Sequence, residues 1–179
     1  MSEKKENREN QEKLRAAVIT ASDKGAAGER EDLSGPAVSE MLTKQGYQVE
    51  HRVLLPDDEE LLYREMVRLA DEEAVDVIFT TGGTGLSKRD RTPEATLRAA
   101  HRNVPGIAEA IRVHSLSITP RAMLSRGVSV MRGQTLIINL PGSPKAVREC
   151  LEYILPSLEH GILIMKGLDG ECGKTEKLC

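Results

Sequence analysis

Three short apolar runs, 14–20, 75–79 and 135–140, each break into a loop rich in glycine, hydroxyl residues or aspartate, and each loop leads into a helix-patterned stretch. Runs this short, rich in Val, Ile and other apolar residues, are buried strands, and a buried strand that feeds a helix belongs to a parallel sheet. A fourth run, Tyr47 to Leu55, alternates like a strand. Between the strands, Ala37, Val38, Met41 and Leu42 share one helical face, as do Leu62, Met66, Leu69 and Ala70, and then Val147, Leu151, Ile154 and Leu155. This alternation predicts an α/β fold, a three-layer αβα sandwich with a mainly parallel sheet. The stretch from Thr92 to Leu124 reads as helical with breaks at Pro105-Gly106 and Pro120, and Pro156 should kink or restart the last helix. Segments 127–133 and 135–140 are spaced as a hairpin. One domain, 14–166, accounts for the pattern; 1–13 reads as a charged flexible tail and 167–179 as a loose C-terminal one.

In such sheets ligands bind beyond the carboxyl ends of the strands, at a switch point. Four strand ends carry candidates: Ser22-Asp23, Asp57-Asp58, Thr80-Thr81-Gly82-Gly83-Thr84-Gly85 with Asp90, and Gly142-Ser143. Glycines after a strand let backbone N–H groups face a ligand without Cβ atoms in the way, which suits phosphate. Thr92-Pro93-Glu94 reads as a helix start with Thr92 as its cap, and Ser143-Pro144 as another. A carboxylate such as Asp90 beside phosphate implies a bridging cation, most simply Mg²⁺.

Each of these has a plainer reading. The hexapeptide alone could be a connector, Asp57 a helix-start carboxylate favoured by the dipole, and Ser143 only a cap. The loop is not a dinucleotide fingerprint, since Lys88 stands where the third glycine belongs. Arg112, Arg121 and Arg126 could gather around an anion or face solvent. His51, His101, His114 and His160 lack ligand-like spacing.

A net charge of -3 argues against a dedicated nucleic-acid surface, and with no Trp and one Phe there is little for base stacking. Cys150, Cys172 and Cys179 form no C-x-x-C pair, so a reduced, cytoplasmic setting is expected. No secretory leader and no run of 18 apolar residues are seen.

The hexapeptide with Arg89-Asp90 and Thr92-Pro93-Glu94-Ala95, then Thr119-Pro120 to Leu124-Ser125-Arg126, then Asn139-Leu140-Pro141-Gly142-Ser143-Pro144, resembles the MogA/MoaB family of molybdenum-cofactor biosynthesis proteins. The resemblance runs from about Leu14 to about Met165. It implies a molybdopterin-binding fold, a homo-oligomer built as a trimer or a multiple of it, and a partner enzyme that inserts molybdate. It further implies Mg²⁺-dependent adenylylation of molybdopterin by ATP, with release of pyrophosphate. The family's two essential aspartates fall on Asp57 and Asp90, implied to be catalytic and to hold Mg²⁺. Ser22, Asp23, Thr81, Gly82, Gly83, Thr84, Gly85, Gly142 and Ser143 fall in its nucleotide and pterin pocket. A MoaB-like protein that binds or scaffolds the pterin without adenylyl transfer is the alternative the sequence leaves open.

Overall fold

A computed structural model describes residues 13–168. The two expected tails lie outside the described residues apart from Lys13, Gly167 and Leu168. The elements in order are β1 (Arg15–Ala21), α1 (Asp23–Ala26), α2 (Ser34–Lys44), β2 (Gln48–Leu55), α3 (Glu59–Asp71), β3 (Val77–Thr81), α4 (Thr92–Ala99), β4 (Arg102–Asn103), α5 (Pro105–Leu116), a 3₁₀ turn (Pro120–Leu124), β5 (Ser129–Arg132), β6 (Thr135–Leu140) and α6 (Pro144–Met165).

The sheet runs β2-β1-β3-β6-β5-β4. Its first four strands are mutually parallel, and β5 and β4 join antiparallel, β5 through the expected hairpin with β6. The two-residue β4 lies inside a stretch read as helix; Arg102 and Asn103 carry no apolar pattern, and only pairing with Met131 and Val130 makes them a strand.

Alternation along the strands divides the core into two layers. Val18, Val77, Phe79 and Ile138 pack with Val38 and Leu42 of α2, Ile111 of α5 and Leu151 and Ile162 of α6. Ile19, Ile78 and Ile137 pack on the opposite face against Leu62, Met66 and Leu69 of α3 and Ala95 and Ala99 of α4. Each of the larger apolar side chains contributes about 1.5–3 kcal/mol by leaving water. With helices on both faces, the three-layer sandwich follows.

Pro156 neither ends nor restarts α6, which is continuous over 22 residues. Pro156 itself is exposed, while Leu155, Leu158 and Ile162 are buried, so the apolar face carries the helix past the missing N–H.

The register sets the site. Ala21 lies opposite Leu55, Thr20 opposite Thr81, and Thr81 opposite Leu140, so the chain leaves β1, β2, β3 and β6 at one rim. Beyond that rim the chain from β1 turns to α2 on one face and the chain from β3 turns to α4 on the other. The crevice opens between those two departures, as the rule for open parallel sheets requires.

Candidate functional site: an acidic crevice under a glycine loop

Two cavities meet at this rim. The first, about 430 Å³, is lined by Ser22, Arg30, Asp32, Ser34, Asp57 and Asp90 together with Gly82, Gly83 and Gly142. The second, about 390 Å³, shares Gly82, Gly83, Asp90 and Gly142 and adds Thr84 and Gly85. Its far wall mixes Ile111, Leu124 and Cys150 with Arg112, Ser115, Thr119 and Arg121. The glycine loop is thus the partition between a polar chamber and a more apolar one.

Backbone geometry requires those glycines. Gly82 has φ +93°, and a Cβ there would sit 2.3 Å from the Ala21 carbonyl oxygen. Gly83 has φ +62°, and its Cβ would sit 2.3 Å from Thr92 Oγ1 and 2.9 Å from Asp57 Oδ1. No L side chain fits either position without moving backbone or site groups.

Asp57 lies just before its helix rather than in it. Asp58 caps α3, accepting from Leu61 N–H at 2.9 Å, which leaves Asp57 free to turn toward β1. There it exchanges two hydrogen bonds with Asp23: Asp23 N–H donates to Asp57 Oδ2 and Asp57 N–H donates to Asp23 Oδ1, both at 3.0 Å. Burial pushes the Asp57 carboxyl above its usual range, helped by the charges of Asp23 and Asp90 and opposed by the Asp23 N–H. Arg89 answers the crowding with a two-pronged contact to Asp23 at 2.9 and 2.8 Å, and this guanidinium holds the Asp23 carboxyl below its usual range.

Asp90 is fixed by Ser87 N–H, which donates to its Oδ2 at 2.9 Å, and by its backbone. Arg126 donates to the carbonyls of Asp90 and Gly85, each at 2.7 Å, and pairs with Glu94 at the start of α4. Arg126 therefore holds the loop. Of the arginines offered as anion holders, Arg112 gives one N–H to the Gly127 carbonyl yet lines the second cavity with Arg121.

Three expected residues, Thr81, Asp23 and Ser143, line neither cavity. Thr81 is fully buried and donates to the Pro141 carbonyl at 2.7 Å, tying the glycine loop to the 141–143 turn. Ser143 caps α6 with its side chain and lines neither cavity. Asp23 acts on the site through Asp57 and Arg89. Ser22 lines the first cavity and accepts from Gly25 N–H and from Arg30. Thr92 is the first helical residue of α4, following Arg91 at the cap position, so its hydroxyl is not spent on capping.

The sequence reading missed Thr20, Arg30, Asp32 and Ser34 on the polar wall. Asp32 accepts from Thr20 Oγ1, Ser34 N–H and Gly35 N–H, and this anchors the start of α2 against β1. Its place before Ser34-Gly35-Pro36 marks a helix entry; its reach to Thr20 has no local signature. Asn139 has no role of its own in the sequence motif, yet it donates to both Thr80 and Thr96 at 2.9 Å and fastens α4 to the sheet.

Four acids line the first cavity, Glu31, Asp32, Asp57 and Asp90; with Asp32 engaged by Thr20, Ser34 and Gly35, Asp57 and Asp90 suit a cation that takes one or two protein oxygens and completes its shell with phosphate and water. Among the described residues no cluster of three or more His, Cys, Asp or Glu could hold a metal alone, so a cation here depends on its phosphate ligand. The oxygen donors of Asp57 and Asp90 fit Mg²⁺ on those terms.

The chain matches, over residues 17–160, the family described as a probable molybdopterin binding domain. It is 42% identical over 158 residues to the molybdopterin adenylyltransferase of Escherichia coli K12, covering 87% of this chain and 80% of that one. It is 39% identical to the molybdopterin adenylyltransferase of Helicobacter pylori J99, covering 86% and 89%. The structure of the molybdopterin biosynthesis enzyme MoaB from Thermus thermophilus superposes with TM-score 0.82 at 47% identity, covering 86% of this chain and 97% of that one. The Mog protein from Mycobacterium ulcerans superposes with TM-score 0.78 at 38% identity, covering 85% and 99%. With the glycine loop, the paired aspartates and these likenesses together, the chain belongs to the MogA/MoaB family of molybdopterin-binding domains.

Proposed function

We propose that the protein is a molybdopterin adenylyltransferase that uses ATP and releases pyrophosphate. The observation that carries this reading is the placement of Asp57 and Asp90 on one cavity beneath Gly82 and Gly83. The polar chamber takes the nucleotide. The second chamber takes the pterin, whose ring meets Ile111 and Leu124 and whose anionic groups meet Arg112 and Arg121.

In the reaction an oxygen of the pterin's terminal phosphate forms a bond to the α-phosphorus of ATP, and the bond from that phosphorus to the bridging oxygen of the β-phosphate breaks. The attacking phosphate is already ionised, so no strong general base is needed. Mg²⁺, when bound, neutralises charge on the transferring phosphates. Asp57 and Asp90 would supply its protein oxygens, and the shared glycine partition lets the two substrates approach at Asp90. Arg126 fixes the Asp90 and Gly85 carbonyls, so the loop meets the transition state already positioned.

The likeness to MoaB favours a second reading, pterin binding without adenylyl transfer. One assay separates the two: protein, molybdopterin and Mg-ATP are mixed and pyrophosphate is measured. Release that depends on all three supports adenylyl transfer, and tight pterin binding without release supports the second reading.

Assembly as a trimer or a multiple of it is part of the same proposal. Val113, Leu116, Ile118, Met123 and Leu124 are exposed along α5, the 3₁₀ turn and the link between them, an apolar surface suited to a subunit contact. Light scattering in solution reads the mass. No helix among the described residues is long and apolar enough to cross a membrane, and a cytoplasmic enzyme handing its product to a molybdate-inserting partner fits the proposed chemistry.

A further inference from the structure

Among the described residues, three buried side-chain polar atoms have no hydrogen-bond partner: Tyr47 Oη, Asp57 Oδ1 and Thr92 Oγ1. Tyr47 lies in the core layer away from the rim, with Leu42 and Leu158. The other two both lie beside Gly83: the position a Cβ would take there is 2.3 Å from Thr92 Oγ1 and 2.9 Å from Asp57 Oδ1. A buried donor and a buried acceptor left unmade cost free energy, and here both border the space that the missing side chain of Gly83 leaves open.

Thr92 is rigidly mounted. Its N–H donates to the Gly83 carbonyl at 3.2 Å, and its carbonyl accepts from Thr96 Oγ1 at 2.8 Å. Thr96 in turn is held by Asn139 at 2.9 Å. Asp57 is tethered by only one oxygen, Oδ2, to the Asp23 N–H. Rotation of the carboxylate about that tether is the freedom left in the pair.

We infer that Thr92 is a positioning residue for Asp57: when phosphate draws the glycine loop inward, the Thr92 hydroxyl donates to Asp57 Oδ1 and sets the carboxylate's orientation. The fold by itself leaves the two groups unpaired, and the bound state joins them. Binding is thereby rewarded by a hydrogen bond that the fold alone does not make. Gly83 has a second duty on this account, since a Cβ there would crowd both oxygens. The inference rests on the assignment of the phosphate-side carboxylate to Asp57.

Thr92→Val removes the hydroxyl at nearly constant shape, and Thr92→Ser keeps it. In the ligand-free protein Thr92→Val melts at or above the wild-type temperature, because it deletes an unsatisfied buried group. Addition of Mg-ATP raises the melting temperature of the wild type and of Thr92→Ser more than that of Thr92→Val. Pyrophosphate release by Thr92→Val falls about tenfold in kcat, with Thr92→Ser within about threefold of wild type, the scale of one hydrogen bond. Equal Mg-ATP shifts in wild type and Thr92→Val overturn the inference, whatever the turnover. A Val-sensitive shift in a wild-type protein that releases no pyrophosphate keeps the inference and overturns the adenylyl-transfer reading instead.

Discussion

Asp23 and Asp57, 34 residues apart, each donate a backbone N–H to the other's carboxylate at 3.0 Å. The exchange locks the loop after β1 to the loop after β2 and brings two negative charges together, with Arg89 the cation beside them. Arg89→Gln leaves that repulsion unanswered. The ion pair is exposed and screened by solvent, so the melting temperature changes little. Turnover falls more than stability does, because Asp57 loses its fixed neighbour; paired calorimetry and pyrophosphate kinetics measure the contrast.

Replacing Asp57 or Asp90 by Asn keeps the shape and removes the charge that faces the cation. Pyrophosphate release drops by about two orders of magnitude or more in either variant, the scale of a lost electrostatic contact to a transferring phosphate. Pterin affinity, read by fluorescence titration, stays measurable. Turnover close to wild type in one variant would remove that aspartate from the proposed role.

The glycine loop permits a controlled comparison. Gly46 and Gly82 have nearly the same φ, +96° and +93°, yet a Cβ at Gly46 meets nothing within 4 Å while one at Gly82 meets the Ala21 carbonyl oxygen at 2.3 Å. Gly46→Ala costs about 1–2 kcal/mol for the left-handed conformation alone. Gly82→Ala costs clearly more, since β1 or the loop must move as well. Urea denaturation of the two variants gives the difference directly.

Glu94 carries a pH signature. Burial opposes its ionisation, but the Arg126 guanidinium, the residue's own backbone N–H and the charge of Arg91 together outweigh it, and the carboxyl is lowered from 4.5. A lowered folded pKa means the unfolded chain takes up the proton first. The stabilisation is therefore complete above about pH 4.5 and disappears as pH falls through the folded value. Glu94→Gln lowers the melting temperature near neutrality and flattens its decline below pH 4.5, as thermal scans across an acid series will reveal.

The strand–loop–helix alternation, the two-faced sheet and the hairpin of β5 with β6 were legible because periodicity reports which side of an element is buried. The glycine loop, Asp57 and Asp90 were legible as candidates because residue types at strand ends speak to ligand chemistry. Thr81 and Ser143 show where sequence stops short: a hydroxyl beside a glycine can face a ligand or a backbone group, and only the neighbouring turn decides. Thr81 meets the Pro141 carbonyl, and Ser143 meets the Ala146 N–H.

What the sequence determined by itself was therefore local, the order of the elements, their buried faces and the loops rich in glycine and acid. Only the tertiary structure decided that Asp57 answers Asp23, that Arg89 reaches back across 66 residues, and that Thr92 and Asp57 come together beside Gly83. The physical reason is that such pairings depend on strand register and on which face each helix takes. The register aligns the ends of β1, β2, β3 and β6 at one rim, and no stretch of sequence by itself encodes that alignment.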